Sequence, residues 1–217
     1  MALRTLREDP RIAAAAPRRR LGRERALVLA GGALVVALAT IRGRGRTLDE
    51  RLFGWANGRL HHPALDTLFR DVTEMGSLWA SAAAAGAMAA GGRRREATDA
   101  LGAATAMWAL GQGLKRAFRR LRPYESERPG RLVIGRPRGA SWPSSHPATL
   151  LAFVSVAGRD LGLSRGSRRA LTGLAGVVGA SRVYLGVHYP ADVVGGLLLG
   201  RAVAEAWSRA VSPRVLG

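Results

Sequence analysis

Residues 18–41 read RRRLGRERALVLAGGALVVALATI, and this stretch decides what kind of fold the chain can have. Arginines crowd its first eight residues, whereas the sixteen residues 26–41 carry no charge. A helix of that length spans about 24 Å, which crosses a bilayer with tilt or local thinning. The basic flank and the apolar run predict a retained transmembrane anchor. Ala37-Leu38-Ala39 resembles the end of a signal peptide, so a cleaved signal is the competing interpretation.

Five further stretches of low charge follow along the chain. Their lengths and their alanine and glycine content suit helices that pack closely in a membrane. They comprise residues 76–92, 100–114, 147–158, 171–180 and 193–200. With the first run they predict an all-α fold, a polytopic membrane helix bundle with about six transmembrane helices. A soluble helical bundle with an alanine-rich core is the alternative.

The composition restricts both the class of protein and the class of partner. The length of 217 residues suits a single domain, and the hydrophobic fraction of 47% excludes a disordered protein. The absence of cysteine excludes disulfides, a thiolate nucleophile and a cysteine-based zinc site. A net charge of +19 points to a polyanionic partner: nucleic acid, an anionic membrane surface or a phosphorylated substrate. Lys115 is the single lysine in an otherwise arginine-based set.

The distribution of charge suggests how the chain is divided and oriented. Residues 1–25 form a basic cytoplasmic leader, 26–211 a membrane-embedded domain and 212–217 a C-terminal tail. Arginines then divide 18 inside to 15 outside, which favours a cytoplasmic N-terminus in the cell membrane. The segments 42–75 and 116–145 lie outside. In the first, apolar residues at 48, 52, 55, 56 and 60 predict a helix lying on the outer surface.

Two histidines stand where chemistry is possible. His188 is followed four residues later by Asp192, with a proline between them that suits the start of a helix. The carboxylate can hold one imidazole nitrogen and leave the other free to attack or to accept a proton. His146 follows Ser144 and Ser145 at the start of an apolar helix, where a serine cap and free amides favour an anion.

Cationic side chains form a second group of candidates. Lys115 ends an apolar stretch, and Arg122-Pro123 follows with six residues between lysine and arginine. A lysine supplies a point charge and an arginine a bidentate fork, and both suit phosphate. The His61-His62 pair precedes Pro63 with no carboxylate at ligand spacing, which favours an exposed turn over a metal site.

Together these residues form three ordered motifs. They are Lys115-x6-Arg122-Pro123, Pro143-Ser144-Ser145-His146 and Ser181-Arg182-x5-His188-x3-Asp192. They resemble the three signature motifs of the type 2 phosphatidic acid phosphatase superfamily, in the same order. The segment Asp66-x2-Phe69-x3-Thr73-x2-Gly76 is also similar to the family's, and the resemblance covers roughly residues 45–205. One departure is Ser145, where the family usually has glycine.

The resemblance implies a role for each motif residue. His188 is the expected nucleophile, which forms a phosphohistidine, and Asp192 orients it. His146 is expected to protonate the leaving group and then to activate water. The expected phosphate-binding residues are Lys115, Arg122, Arg182, Ser144 and Ser145. No metal ion and no cofactor is implied. A positive φ at Ser145 costs about 1 kcal/mol, whereas a helical backbone accepts serine at little cost.

The implied function is that of an integral membrane phosphatase. The expected substrate is a lipid phosphate or a polyprenyl diphosphate such as undecaprenyl diphosphate, hydrolysed on the extracytoplasmic face. The expected partners are this phosphorylated lipid and the bilayer, and not nucleic acid. Two alternatives stay open: a secreted, soluble acid phosphatase of the same superfamily, and a non-enzymatic basic membrane protein that binds anionic lipid.

Overall fold

A computed structural model describes residues 10–60, 62–127 and 129–211. In this part of the chain eight α-helices are present and no strand occurs. They are α1 (Pro10–Ile41), α2 (Arg46–Gly54), α3 (Pro63–Glu74), α4 (Leu78–Ala90), α5 (Arg94–Phe118), α6 (Ser145–Asp160), α7 (Arg165–Tyr184) and α8 (Pro190–Ala210). A π-helical turn, Trp55–Arg59, continues α2, and a 3-10 turn, Pro123–Glu125, follows α5. The predicted all-α fold class is confirmed.

Each of the six predicted apolar stretches lies almost entirely within one helix, and most of these helices extend beyond it. α1 begins at Pro10, inside the predicted leader, and α5 and α7 continue into arginine-containing segments, where arginine keeps a good helix propensity. α3 was not predicted from the sequence. His62 caps this helix, because its Nδ1 accepts a hydrogen bond from the Ala64 amide at 3.2 Å, and Pro63 occupies the first helical position. His61 lies outside the described residues.

Among the described helices, one is long and apolar enough to cross a membrane by itself. It is the segment Arg23–Ile41 of α1, most of which is exposed. The helix Leu78–Ala90 is apolar but shorter, with 13 residues. By length and composition alone the other helices do not qualify, so the number of spans stays a prediction.

α6 is the central helix of the bundle. It packs against α4, α5, α7 and α8, and residues 147–154 are all buried. α8 approaches the start of α6 closely at Gly196 and Gly200, where an added Cβ atom would lie 2.4 Å from a backbone carbonyl oxygen. Glycine at these two positions therefore allows direct contact between the two backbones. α1 packs along the outer side of α8 through Ala33 and Ala37.

α2 and its π-helical extension occupy residues 46–59, where the apolar spacing predicted a helix, and the two faces of this segment differ. Large apolar side chains on one face are exposed, namely Leu48, Leu52 and Trp55. Residues at four-residue spacing on the other face are buried, namely Asp49, Phe53 and Asn57. The Asn57 amide donates to the carbonyl oxygens of Arg131 at 2.9 Å and Tyr184 at 2.7 Å. The helix is therefore fixed to the bundle by the face that carries Asp49, Phe53 and Asn57.

Four helix ends meet at one end of the bundle. They are the C-terminal ends of α5 and α7 and the N-terminal ends of α6 and α8. The loop 185–189 joins α7 to α8 there, and the long connection between α5 and α6 covers the same end. All three sequence motifs lie at these helix ends and in these connections.

Candidate active site

His188 lies on the loop between α7 and α8 and is 1% exposed. Gly186, at φ of +82°, forms the turn before it, where an added Cβ would lie 2.0 Å from the Arg131 carbonyl oxygen. The Nδ1 atom of His188 is 3.5 Å from Asp192 Oδ2, and its Nε2 atom is 3.4 Å from Arg122 Nη1. A carboxylate beside Nδ1 favours the proton there, which leaves the lone pair on Nε2. Burial lowers the pKa of His188 well below its usual range, so the imidazole is neutral at pH 7.

Asp192, in the first turn of α8, is fully buried and held from three sides. Arg120 donates through Nη1 to Oδ1 at 2.7 Å, and the Tyr189 amide donates to Oδ2 at 2.8 Å. The Ser141 hydroxyl donates to the same Oδ2 in a short hydrogen bond. These contacts fix the carboxylate that faces His188. None of these three hydrogen-bond donors to Asp192 was predicted from the sequence.

Arg120 connects Asp192 to a second buried carboxylate, Asp49 of α2. Its Nη2 donates to Asp49 Oδ2 at 2.6 Å, and its guanidinium lies 4.2 Å from the centre of the Tyr189 ring. The other Asp49 oxygen accepts the Ala191 amide at 2.8 Å. Arg120 is one of the six residues between Lys115 and Arg122 in the first motif, so the motif itself did not mark it.

Three buried cations surround the histidine. Lys115 at the end of α5, Arg122 after it and Arg182 at the end of α7 are 9%, 2% and 3% exposed. Arg122 donates to three backbone carbonyls, those of Gly139 at 2.8 Å, Val187 at 3.0 Å and Arg138 at 3.4 Å. Within the described residues, no carboxylate lies within 4 Å of any of the three cationic groups. Buried positive charges are costly without a counter-charge, so this arrangement favours a bound anion.

Ser144 and Ser145 begin α6 beside these cations. Ser144 is fully buried and its amide donates to the Asp192 carbonyl oxygen at 3.0 Å. The hydroxyls of both serines are buried and have no hydrogen-bond partner within the described residues. Ser145 has a helical backbone and no positive φ, so serine fits here without the strain that a glycine-only conformation would impose. Its hydroxyl lies near Gly111 of α5, where an added Cβ would be 3.3 Å from it.

The segment from Asp66 to Gly76 supports the site from α3. Thr73 Oγ1 accepts a hydrogen bond from Arg182 Nη1 at 2.9 Å, which fixes that guanidinium. At Gly76 an added Cβ would lie 2.7 Å from the His146 Cβ, so this turn packs directly on the start of α6. Its similarity to the family was the only signal in the sequence that could have identified Thr73.

A model of the PAP2 superfamily matches residues 96–215, more than half of the chain. The chain belongs to the PAP2 superfamily. The matched segment extends from α5 through α8 and includes every predicted site residue from Lys115 to Asp192. The family that the three motifs indicated is therefore confirmed. The matched segment begins at α5, and α1 to α4 precede it.

Curated relatives of this PAP2 protein are phosphatases. A decaprenylphosphoryl-5-phosphoribose phosphatase from Mycobacterium tuberculosis is 36% identical over 126 residues, which cover 58% of this chain and 67% of the relative. An undecaprenyl-diphosphatase from Sulfolobus acidocaldarius is 37% identical over 93 residues, which cover 42% of this chain and 43% of the relative. The predicted enzyme class is thus confirmed: the chain is a PAP2 phosphatase.

Solved structures share the fold. A transmembrane PAP2-type phosphatidylglycerolphosphate phosphatase from Bacillus subtilis superposes with a TM-score of 0.69 at 21% identity, covering 85% of this chain and 94% of that one. LpxE from Aquifex aeolicus gives a TM-score of 0.66 at 24% identity, covering 73% and 93%. This PAP2 phosphatase therefore shares its helix-bundle fold with a transmembrane phosphatase. The shared part includes helices that precede the matched segment.

The site of this PAP2 phosphatase combines a buried neutral imidazole, an orienting carboxylate and three cations. The described residues contain no group of three or more His, Asp or Glu side chains that could hold a metal ion. Fixed guanidinium and ammonium groups can neutralise the charge that spreads over a transferred phosphoryl group. The expectation of a reaction without metal or cofactor stays a prediction.

Proposed function

We propose that this PAP2 phosphatase hydrolyses a lipid phosphate or a polyprenyl diphosphate through a covalent phosphohistidine. The observation that carries the proposal is the placement of His188. Its Nδ1 faces Asp192 at 3.5 Å, and its Nε2 faces the Arg122 guanidinium at 3.4 Å. A phosphate held by that guanidinium brings its phosphorus atom up to the nitrogen that carries the lone pair.

The reaction proceeds in two steps. In the first, Nε2 of His188 attacks phosphorus, the bond from phosphorus to the leaving oxygen breaks, and His146 supplies the proton that this oxygen takes. In the second, water attacks the phosphohistidine, His146 accepts its proton, and the phosphorus–nitrogen bond breaks to release phosphate. Asp192 stabilises the positive imidazole that exists between the steps. Lys115 and Arg182 hold the phosphoryl oxygens together with Arg122.

A lipid substrate is supported by the surface of the bundle. Large apolar side chains point outward from several helices, including Leu27, Val35, Trp79, Val177 and Val194. In water such a surface promotes aggregation, whereas in a bilayer it contacts the acyl chains. The named relatives add support, because both names describe a phosphorylated substrate that carries a polyprenyl chain. We therefore place the bundle in the cell membrane.

The path of α1 supports the orientation that we propose. This helix ends at Ile41, and α2, directly after it, supplies Asp49 to the active site. The start of α1 therefore lies at the opposite end, together with the α4–α5 and α6–α7 turns. Arginines are concentrated beside those turns, at 93–95 and in the first turns of α7 at 165, 168 and 169, which favours a cytoplasmic location for that end. The active site then faces the extracytoplasmic side.

Phosphate release by the purified full chain in detergent, with EDTA present, tests the reaction. The substrates are undecaprenyl diphosphate, phosphatidic acid and a water-soluble phosphomonoester. We expect release from a lipid, its loss in His188→Ala, and near-normal release in His62→Ala, a histidine variant outside the active site. Release from the soluble ester alone would instead favour the secreted acid phosphatase. No release from any substrate would refute the assignment.

A trapping experiment tests the covalent intermediate separately. A substrate labelled in the scissile phosphate is mixed with enzyme and quenched in alkaline denaturant, because phosphohistidine survives base and hydrolyses in acid. We expect base-stable, acid-labile label on the wild-type protein and none on His188→Ala. If phosphate is released but protein quenched during the first turnover carries no label, the phosphohistidine is contradicted and direct attack by water is favoured.

A further inference from the structure

A second cavity lies at the end of the bundle away from the active site. It has a volume of about 670 Å³, is open to solvent, and lies between the C-terminal halves of α6 and α8 and the N-terminal half of α7. Six arginines line it, namely Arg159, Arg165, Arg168, Arg169, Arg201 and Arg209. We call it the basic cavity. α6 runs for 16 residues from Ser145 at the active site to Asp160 at the cavity, a distance of about 24 Å along the helix.

The arginines of the basic cavity divide into two groups. Three are paired with carboxylates: Arg201 and Arg209 share Glu205 at 2.7 and 3.2 Å, and Arg159 binds Asp99 at 2.9 Å and Asp160 at 2.5 Å. The other three, at positions 165, 168 and 169, have no carboxylate within 4 Å in the described part of the chain. They follow the spacing i, i+3 and i+4, so their side chains lie on one face of the first turns of α7.

All three arginines are exposed, one of them packs on the wall of the basic cavity, and the wall offers a further donor. The Cγ atom of Arg168 would lie 3.1 Å from a Cβ at Gly158, so its aliphatic stem rests on α6. The Ser155 hydroxyl, which also lines the cavity, is buried and has no hydrogen-bond partner in the described residues. The positive end of the α7 dipole points to the same space. Val154 and Ala204 complete an apolar floor.

We infer that the basic cavity is a second, non-catalytic site that binds a phosphate-bearing anion, either the headgroup of an acidic phospholipid or a soluble phosphate compound. Three like charges on one helix face repel one another, and a bound phosphate removes that repulsion and accepts their hydrogen bonds. Basic cavities between helix ends at the cytoplasmic surface suit phosphorylated headgroups in general. The inference concerns a different part of the molecule from the phosphatase reaction and does not depend on it.

Binding by the full chain tests the inference. The cavity variant is Arg165→Gln/Arg168→Gln/Arg169→Gln. The matched control is Arg93→Gln/Arg94→Gln/Arg95→Gln, which loses the same charge from the α4–α5 turn at the same end but outside the cavity. Native mass spectrometry in detergent measures retention of phosphatidylglycerol against phosphatidylcholine. A parallel arm measures the binding of glycerol phosphate at constant ionic strength. Glycerol phosphate that the cavity variant still binds is assigned to the active site.

We expect affinity for phosphatidylglycerol to fall tenfold or more in the cavity variant and less than twofold in the control, with phosphatase activity unchanged in both. Loss in the lipid arm alone identifies a headgroup, and loss in both arms identifies the phosphate itself as the ligand. An equal fall in both variants would reduce the effect to general surface charge and overturn the inference, as would no fall in either. If the triple variant does not purify, Arg165→Gln/Arg169→Gln, which keeps the packed Arg168, replaces it.

Discussion

The contact between Asp49 and Arg120 provides the sharpest test of how the nucleophile is held. Arg120 bridges Asp49 at 2.6 Å and Asp192 at 2.7 Å, and all three side chains are less than 10% exposed. Asp49→Asn keeps the shape of the side chain but removes its charge. We expect the loss of one charge-assisted hydrogen bond from this buried network to lower the free energy of unfolding by about 2 kcal/mol. The loss is limited because Arg120 keeps its second partner, Asp192.

The larger effect of Asp49→Asn is expected on the rate. Without Asp49 the guanidinium is free to shift toward Asp192, and a displacement of that carboxylate by 1 Å misaligns His188 by enough to cost up to about 100-fold. We expect kcat to fall about 10- to 100-fold with KM changed less than about threefold, because Asp49 contacts none of the residues expected to bind phosphate. Initial rates of phosphate release at several substrate concentrations measure both constants.

Asp71→Asn, a change of the same kind at an exposed position of α3, serves as the control and should leave kcat and the unfolding temperature unchanged. Two results would refute the reasoning. A folded Asp49→Asn protein with wild-type kcat would show that Asp192 keeps its place without α2. A raised KM with unchanged kcat would mean that Asp49 acts in substrate binding instead.

Three further predictions concern the active site and the orientation of the bundle. Lys115→Arg should lower kcat/KM about 100-fold, because a planar guanidinium does not fit the buried place of a compact ammonium beside two arginines; near-normal turnover would remove that explanation for the single lysine. Ser145→Gly should retain activity within about threefold, because the backbone there is helical; a large gain would show that serine hinders phosphate binding. In this cysteine-free chain, Glu127→Cys should react with a membrane-impermeant maleimide in intact cells and Arg165→Cys only after permeabilisation; the reverse pattern would invert the proposed orientation.

The sequence predicted seven of the eight described α-helices, and it predicted candidate site residues that the structure brings together, for identifiable physical reasons. Uncharged stretches bounded by arginine favour packed or membrane helices, so the positions of α1 and five further helices were recognisable. The three motifs carry residue types at fixed local spacing, and each lies at a helix end. Once the helices alternate in direction, the C-terminal ends of α5 and α7 and the N-terminal ends of α6 and α8 meet at the same end of the bundle. His188, His146 and Lys115 were therefore predictable as a group.

The supporting residues were not predictable, because their pairing depends on contacts between distant parts of the chain. Asp49 and Asp192 are 143 positions apart in the numbering, and the spacing of residues around Asp49 revealed only the apolar face of α2. Arg120 was one of many arginines, and nothing local separates a buried arginine from an exposed one. Thr73 and Arg182 likewise pair across 109 positions. Such partners become visible only when burial shows which charges must be satisfied inside the protein.

The support from α2 also connects the chemistry to the surface of the bundle. Leu48 and Leu52 on the outer face of α2 are exposed, while Asp49, on the same turn, binds Arg120 and the amide at the start of α8. A shift of α2 against the bundle therefore changes the position of Arg120, and through it the carboxylate beside His188. If the exposed face lies in the membrane surface as proposed, Leu48→Gln/Leu52→Gln should impair turnover of a lipid substrate through α2 even though neither leucine reaches the site. A double variant with normal turnover of that lipid would contradict this connection.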